Sequence, residues 1–533
     1  MELIAGFKEW AAKDNPDITG IQLSAVVVSA LLTLVVVLQD HLPNNDGVLY
    51  LLFAEQIAAG DSGTALQLFN WPFYAYLIAA FHSISGIEME MSAYVVNGLL
   101  QALLVYAFVG VVAEMGGKRE VVLVSAFLVL TYPSFNELRS EIIRGFGYWA
   151  FFMLGLLFFL RHVRRAENRF LFAWIGALVA ATLFRFEGAV LLALMPLALL
   201  LSGDVSRERS ARKVLFIYAL YMLGVVLLVA AMAIAGMDVI SMERWNKPVE
   251  MASMFYAAIT SDLAAKAQIL KDYYLVDYSE GYAWSIVWAT ILIVLITELG
   301  SSIGVVYALF AGYAMVACRD LMRPDVSRVV WFLVGINALM LTMFVVTLGF
   351  LTKRYPVTLT LLILLLASFG ALALYRRLDR AFVGTRRRTL IRSSFVLVAL
   401  YFFVDGVYSF SPGKSHVAEA ADWLVKHAAP SDRVFSLDAP LLYRAKQLDQ
   451  ARYHELQALM LRTGDTALRK APSLAAALSS IDWREFDYIV ALVKRKRPEQ
   501  QQDIERLLDR PPLKEFRNSK GDRALIYATH AGP

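Results

Sequence analysis

The chain has 533 residues, 58% of them hydrophobic and only 18% charged, with a mean hydropathy of +0.54. Soluble globular domains carry about a quarter charged residues and under half apolar ones, so this composition excludes an ordinary soluble protein. The net charge of +5 does not indicate nucleic-acid binding, because Lys and Arg sit in short clusters between apolar blocks, as in the cytoplasmic loops of membrane proteins. The single cysteine, Cys318, excludes an internal disulfide and a thiolate metal cluster.

Residues 1–20 are polar and amphipathic, and the apolar block that follows is long enough to stay as an anchor rather than leave with a signal peptide. Blocks at 21–38, 93–113, 121–133, 146–161, 170–184, 188–201, 214–236, 300–318, 329–350, 356–375 and 391–410 read as spans, since about 20 apolar residues in a helix cross a hydrocarbon core of ~30 Å. The blocks at 121–133, 170–184 and 188–201 are short and must extend into flanking polar residues. Trp71–Ile84 and Trp284–Ile296 are also short for a crossing and flanked by aromatics, which favours re-entrant or interfacial helices. With the N-terminus in the cytoplasm, the clusters Lys118-Arg119, Arg161 to Arg169, Arg207 to Lys213, Arg319 to Arg328 and Arg376 to Arg388 fall inside, as the positive-inside rule requires.

The predicted fold is mainly α: a polytopic transmembrane helical bundle of about 11–13 spans over residues 1–410, followed at 411–533 by a small α/β extracytoplasmic domain. Pro412-Gly413 breaks the last span. In the tail, Val417–Lys426 and Ile504–Leu508 have helical spacing, while Arg433–Leu437 and Tyr488–Val493 read as strands. Leu513–Tyr527 reads as a hairpin around Asn518–Gly521.

Polar residues concentrate at the predicted outer ends of the spans. The first outer loop, Gln39–Tyr50, puts Asp46 at the start of a short amphipathic helix through Tyr50, Glu55 and Ile57, with Asn44 or Asn45 as its N-cap. The second, Asn136–Arg144, holds Arg139, Glu141 and Arg144. Arg185 and Glu187 lie between two spans, and Lys353, Arg354 and Tyr355 lie at another outer end. Ionisable residues at membrane depth are costly and mark pairs, pathways or sites. Each group also has a structural reading: Asp46 as a helix start favoured by the backbone dipole, the second-loop charges as salt bridges, Arg185–Glu187 as a tie between helices, and Lys353 and Arg354 as side chains reaching lipid phosphates. Taken as a set they suit chemistry on a lipid-linked substrate. Arg donates to phosphate oxygens in bidentate fashion, and a carboxylate within hydrogen-bond reach can take the proton of an attacking hydroxyl. His41 and His82 stand alone, which does not favour a histidine metal site.

The order of four segments resembles the GT-C glycosyltransferase superfamily: Asn45-Asp46-Gly47 with Tyr50, Ala54 and Gly60; Trp71-Pro72 and the aromatic residues after it; Arg185-Phe186-Glu187-Gly188; and Lys353-Arg354-Tyr355 before an apolar span. Protein O-mannosyltransferases and the lipid A aminoarabinose transferase are similar in pattern. The resemblance covers about residues 20–410 and implies an inverting enzyme of the bacterial inner membrane. It would move a sugar from a polyprenyl-phosphate donor to a hydroxyl acceptor on protein, lipid or glycan, on the non-cytoplasmic side. It implies Asp46 as general base, and Lys353 and Arg354 holding the donor phosphate with Tyr355 nearby. Arg144 stands where bacterial relatives commonly carry an acid, so either Glu141, one turn earlier, takes that role or the acid is absent. Arg139, Arg185, Glu187, Tyr50 and Glu55 remain as substrate-binding or structural residues. No Asp-x-Asp pair follows Asn45, which weakens the case for a divalent metal, the one cofactor the resemblance leaves open. The expected partners are the lipid-linked donor, the acceptor and membrane lipid, without nucleic acid. A lipid-linked sugar transporter or flippase is the alternative, although no internal repeat of the kind common in transporters is evident.

Overall fold

The computed structural model describes residues 16–39, 42–61, 63, 71–201, 207–234, 247–318, 321–381, 385–408, 414–429, 431–448, 473–479 and 481–530. Residues 1–15, His41 and the predicted break at Pro412-Gly413 lie outside them. In chain order the elements are α1 (Pro16–Gln39), α2 (Asn45–Ala58), α3 (Phe73–Ser85), α4 (Met89–Glu114), α5 (Arg119–Thr131), α6 (Pro133–Glu137), α7 (Gly145–Arg165) and α8 (Asn168–Phe184). There follow α9 (Glu187–Leu194), continued by a 3-10 segment to Leu201, then α10 (Arg207–Ile234), α11 (Lys247–Ala257), α12 (Leu263–Tyr273), α13 (Ala283–Ile303) and α14 (Val305–Ala317). The long helices end with α15 (Pro324–Leu348), α16 (Val357–Ala381) and α17 (Thr385–Val407). The C-terminal part holds α18 (Ser415–His427), β1 (Val434–Phe435), α19 (Ala439–Leu448), α20 (Leu474–Leu478), β2 (Tyr488–Val493), α21 (Glu499–Leu508), β3 (Lys514–Arg517) and β4 (Arg523–Ala528).

The protein is a multi-pass helical membrane protein with a small C-terminal α/β domain. Among the described residues, seven helical segments are long and apolar enough to cross a membrane: Asp17–Gln39, Met89–Glu114, Gly145–Arg165, Glu208–Ile234, Asp277–Ile303, Pro324–Leu348 and Val357–Arg380. Apolar helices of 10–17 residues are Phe73–Ser85, Asn168–Phe184, Glu187–Leu201 and Val305–Ala317.

Two sequence expectations change here. The block at 284–296, read as too short to cross, belongs to a 27-residue helical segment, Asp277–Ile303. Thr297 and Glu298 interrupt the apolar run without interrupting the helix, because their backbone groups bond along it as well as any others do. The span expected at 300–318 breaks at Gly304, which adopts φ 77 between α13 and α14, a conformation costly for other residues. That leaves α14 with 13 residues.

Two compact units interleave along the chain. One takes its described residues from 16–26, 103–135 and 148–401, the other from 27–102, 136–147 and 402–530. In the first unit the Tyr132 hydroxyl, just past α5, donates to the Ser302 carbonyl near the end of α13. Its ring packs edge-on against Tyr307 of α14 at 5.6 Å. Glu114, buried at the end of α4, accepts from Arg161 Nε at 3.0 Å and pairs with Arg164 at 2.9 Å, both on the last turns of α7. Leu263 and Ala267 of α12, Val287 and Ile291 of α13, and Leu341 and Val345 of α15 share one buried apolar cluster.

In the second unit the C-terminal sheet has strand order β1-β2-β4-β3, with β1 parallel to β2 and the other pairs antiparallel. Phe435, Ile489, Leu525 and Tyr527 from the strands meet Leu478 of α20 and Ile504 of α21 in its core. The strand expected at Tyr488–Val493 and the hairpin at 513–527 are present, and the Asn518 side-chain oxygen closes the turn by accepting from Lys520 and Asp522 amides. The strand expected over 433–437 is limited to Val434–Phe435, because Ser436 and Asp438 turn the chain into α19.

Candidate functional site

In the first unit the sequence Leu183-Phe-Arg-Phe-Glu-Gly188 makes a sharp joint between α8 and α9. A Cβ on Gly188 would lie 2.5 Å from the Thr182 amide nitrogen and 2.7 Å from the Ala181 carbonyl carbon, so only glycine lets α9 start this close to α8. The joint holds the Arg185 guanidinium against the Glu187 carboxylate, with each side chain only 15% exposed. Arg185 also sits 5.8 Å from the centroid of the Tyr148 ring and 5.3 Å from that of Tyr355. Such stacking suits a planar, weakly hydrated cation. Tyr355 is held in turn by Phe344 of α15, centroid to centroid 5.0 Å.

Arg185, Glu187, Tyr148, Arg354, Asn337 and Thr358 are among the residues lining a cavity of about 20 Å³, enough for about one water molecule and too small for a sugar ring. Arg185 Nε–H, at this cavity's wall, is buried without a hydrogen-bond acceptor among the described residues. The structure therefore unites two groups that sequence reading kept apart, the Arg185/Glu187 pair and the Arg354/Tyr355 pair. Lys353 is exposed beside them in the chain.

In the second unit, Asn44 occupies the N-cap position of α2 but does not cap it with its side chain. Its Oδ1 instead accepts from the Ile142 amide at 2.9 Å, tying the first loop to the second. A Cβ on Gly47 would lie 2.6 Å from that oxygen and 2.9 Å from the Ile142 Cβ, so the tie needs glycine in the first turn. This corrects the expected capping role of Asn44: its side-chain oxygen serves a tertiary contact instead. In the chain, Asp46 lies two residues past Asn44 and Glu141 one residue before Ile142. The face that should make α2 amphipathic is largely absent, because Val48, Tyr50, Leu51, Leu52, Phe53 and Ala54 are all buried.

Tyr50 packs edge-on against Tyr74 at 5.0 Å. The Tyr74 hydroxyl donates to Asn97 Oδ1 at 2.7 Å, and Asn97 Nδ2 donates to the Glu141 carbonyl at 2.8 Å. Arg139 is fully buried. Its Nε donates to Asn136, and one terminal nitrogen donates to Ser29, Thr33 and Gln101, at distances between 2.6 and 3.2 Å. Arg144 is partly buried in the same loop. Glu55 contacts Tyr443 of α19: burial first, then the charges of Glu55, Glu90 and Glu88, push the Tyr443 phenol up. Lys414 Nζ donates to the Leu42 and Pro43 carbonyls at 3.2 and 3.3 Å, just ahead of α2.

Sequence reading missed Tyr148, Tyr74, Asn97 and Asn337. A signal existed for the two asparagines, since an amide inside an apolar span is costly unless bonded. The tyrosines carried none, as aromatics near span ends are commonplace.

No family model matches the chain, and no curated protein matches it. Among solved structures it is similar to the archaeal oligosaccharyltransferase AglB from Archaeoglobus fulgidus in complex with an inhibitory peptide and a dolichol-phosphate. That match has a TM-score of 0.45 and 13% identity, covering 91% of this chain and 70% of the other. It is also similar to ArnT from Cupriavidus metallidurans, with a TM-score of 0.40 and 13% identity over 97% and 99% of the two chains. A third is the arabinofuranosyltransferase AftD from Mycobacteria, with a TM-score of 0.40 and 14% identity over 96% and 40%. All three are GT-C glycosyltransferases, the superfamily the sequence motifs resemble. At these scores and identities the likeness transfers no residue role to the present chain.

Proposed function

We propose that this protein is a glycosyltransferase that moves a sugar from a polyprenyl-phosphate donor to a hydroxyl acceptor at the outer face of the membrane, with inversion at the anomeric carbon. The observation that carries this reading is the Arg185 site. It combines a guanidinium fixed by Glu187 and two tyrosine rings, an unsatisfied buried N–H, and a second cation, Arg354, on the same cavity. Preorganised donors of this kind stabilise charge that develops on a departing phosphate. The cavity's present size means that the donor must widen it, and Arg354 and Tyr355, on the short turn between α15 and α16, form part of its wall.

In the proposed reaction the Asp46 carboxylate takes the proton of the acceptor hydroxyl. The acceptor oxygen bonds to the anomeric carbon while the carbon–oxygen bond to phosphate breaks and its electron pair leaves with the phosphate. Lys353, Arg354, Tyr355 and Arg144 are assigned to the donor phosphate, and Glu141 is the second carboxylate available to the acceptor. Arg139, buried among neutral oxygens, Tyr50 and Glu55 are assigned to structure. Residues 1–410 then form the catalytic membrane domain and 411–533 an extracytoplasmic domain.

The test is transfer by purified full-length protein supplied with a polyprenyl-phosphate sugar, read by the mass of the product. Asp46→Asn keeps the shape and removes the base, so transfer should fall by at least about 100-fold, the usual worth of a general base. Unchanged transfer would refute the assignment. Movement of the donor across the bilayer without transfer would favour the transporter reading instead.

A further inference from the structure

The end of α16 remote from Arg354 carries a second and larger feature of the first unit. A cavity of about 920 Å³ is bounded by α5, α14, α16 and the turn before α15. Among the described residues its charged lining is five cations, Lys118, Arg119, Arg376, Arg377 and Arg380, against one carboxylate, Glu120. Glu120 pairs with Arg376, and Asp379, on the same turn of α16, accepts from Arg392 at 3.3 Å. Arg377 donates to the Tyr313 hydroxyl at 3.4 Å and lies 6.0 Å from that ring's centroid. Val121 and Ala317 add apolar wall near the rim, and deeper along α16 the wall is apolar at Phe369 and Leu372.

A basic rim above an apolar wall is the complement of one kind of molecule, an anionic amphiphile lying along a helix bundle. Thr358, at the candidate active site, and Arg377 lie about 28 Å apart along α16 at the rise of an α-helix, close to a hydrocarbon thickness of ~30 Å. The rim therefore sits at the opposite headgroup level, the side that the basic clusters assign to the cytoplasm. Its volume is many times that needed for a water molecule and accommodates a phosphate headgroup with the start of its acyl chains. We propose that this cavity is a binding site for an anionic membrane phospholipid. The phosphate would sit among Arg376, Arg377, Arg380 and Lys118, and the chains would run along Phe369 and Leu372. The site is separate from the proposed glycosyl-transfer chemistry and does not depend on it.

The experiment is native mass spectrometry of the full-length protein released from neutral detergent, titrated with phosphatidylglycerol, phosphatidylcholine or inorganic phosphate. Phosphatidylglycerol should be retained and phosphatidylcholine should not. Each cation removed should weaken retention about fivefold, so Arg376→Gln combined with Arg377→Gln should cost about 25-fold. Arg212→Gln, on the exposed face of α10, should change nothing. Glu120→Gln releases Arg376 from its intramolecular partner and should strengthen retention, a gain that a misfolded variant cannot imitate. Equal binding of the two lipids, loss of retention in Arg212→Gln, no gain in Glu120→Gln, or displacement of phosphatidylglycerol by equimolar inorganic phosphate would each overturn the proposal. The last result would mark a soluble anion site instead.

Discussion

Arg185 and Arg354 share a cavity, yet they differ in what their loss should do. Arg185 is paired with Glu187, and the two side chains are mostly buried. Removing one partner leaves the other charge without compensation, which costs about 3–5 kcal/mol in such settings. Glu187→Ala should therefore lower the melting temperature and abolish transfer together. Arg354 lies in a turn at the cavity edge, so Arg354→Ala should leave the melting temperature unchanged while raising the KM for the lipid-linked donor more than that for the acceptor. Thermal unfolding followed by tryptophan fluorescence, set beside initial rates at varied donor, separates the two. A drop in melting temperature with Arg354→Ala would recast that side chain as structural. Asn44 shows the limit of reading residues singly. Its type and place predicted an N-cap, but the same oxygen is spent on Ile142 of another loop.

Among the elements, the joint between α8 and α9 is where local sequence and site geometry are most tightly linked. Gly188 faces backbone atoms, which cannot swing aside as a side-chain tip can. Gly188→Ala should push α9 away from α8 and separate Arg185 from the tyrosine rings, lowering both stability and transfer. Alanine at Gly300, where nothing lies within 4 Å of an added Cβ, should have little effect and serves as the control. If Gly188→Ala behaved like Gly300→Ala, the close approach would not be what positions the pair. The helices themselves were largely legible, because long apolar runs have few alternatives in a bilayer. Their ends were not. Glu298 ended the apolar run at α13 but not the helix, whereas Gly304 ended a helix inside a run that stayed apolar. A transfer scale reports where a segment prefers to sit, and backbone dihedrals are free to break elsewhere.

At the scale of the whole molecule, the C-terminal part of the second unit has its own pH dependence. His416 on α18 is buried, and its Nδ1 has no hydrogen-bond partner among the described residues. Burial lowers its pKa, with the charge of Asp522 opposing. A histidine whose folded pKa lies below its unfolded value adds stability above the unfolded pKa, near 6.5, and that stability is lost as pH falls toward the folded value. Protection of β2 and β4 amides in hydrogen exchange should accordingly weaken below about pH 6.5. His416→Leu should flatten that trend. A variant as pH-sensitive as the parent would place the effect on other groups.

What the sequence by itself determined was the class of molecule: a membrane bundle with an α/β tail, and a set of acids and cations at helix ends. These follow from composition, from apolar lengths and from charge placement, all of which are local properties of the chain. Even the β2 strand and the β3–β4 hairpin were local in this sense, since alternation and turn chemistry act over a few residues. Only the tertiary structure decided that Arg185 is clamped between Tyr148 and Tyr355, that Asn97 joins Tyr74 to the Glu141 carbonyl, and that Arg139 is walled in by Ser29, Thr33 and Gln101. Each of those contacts joins residues far apart in the chain. No period or motif encodes them, because packing selects partners by shape and unsatisfied polarity rather than by position in sequence.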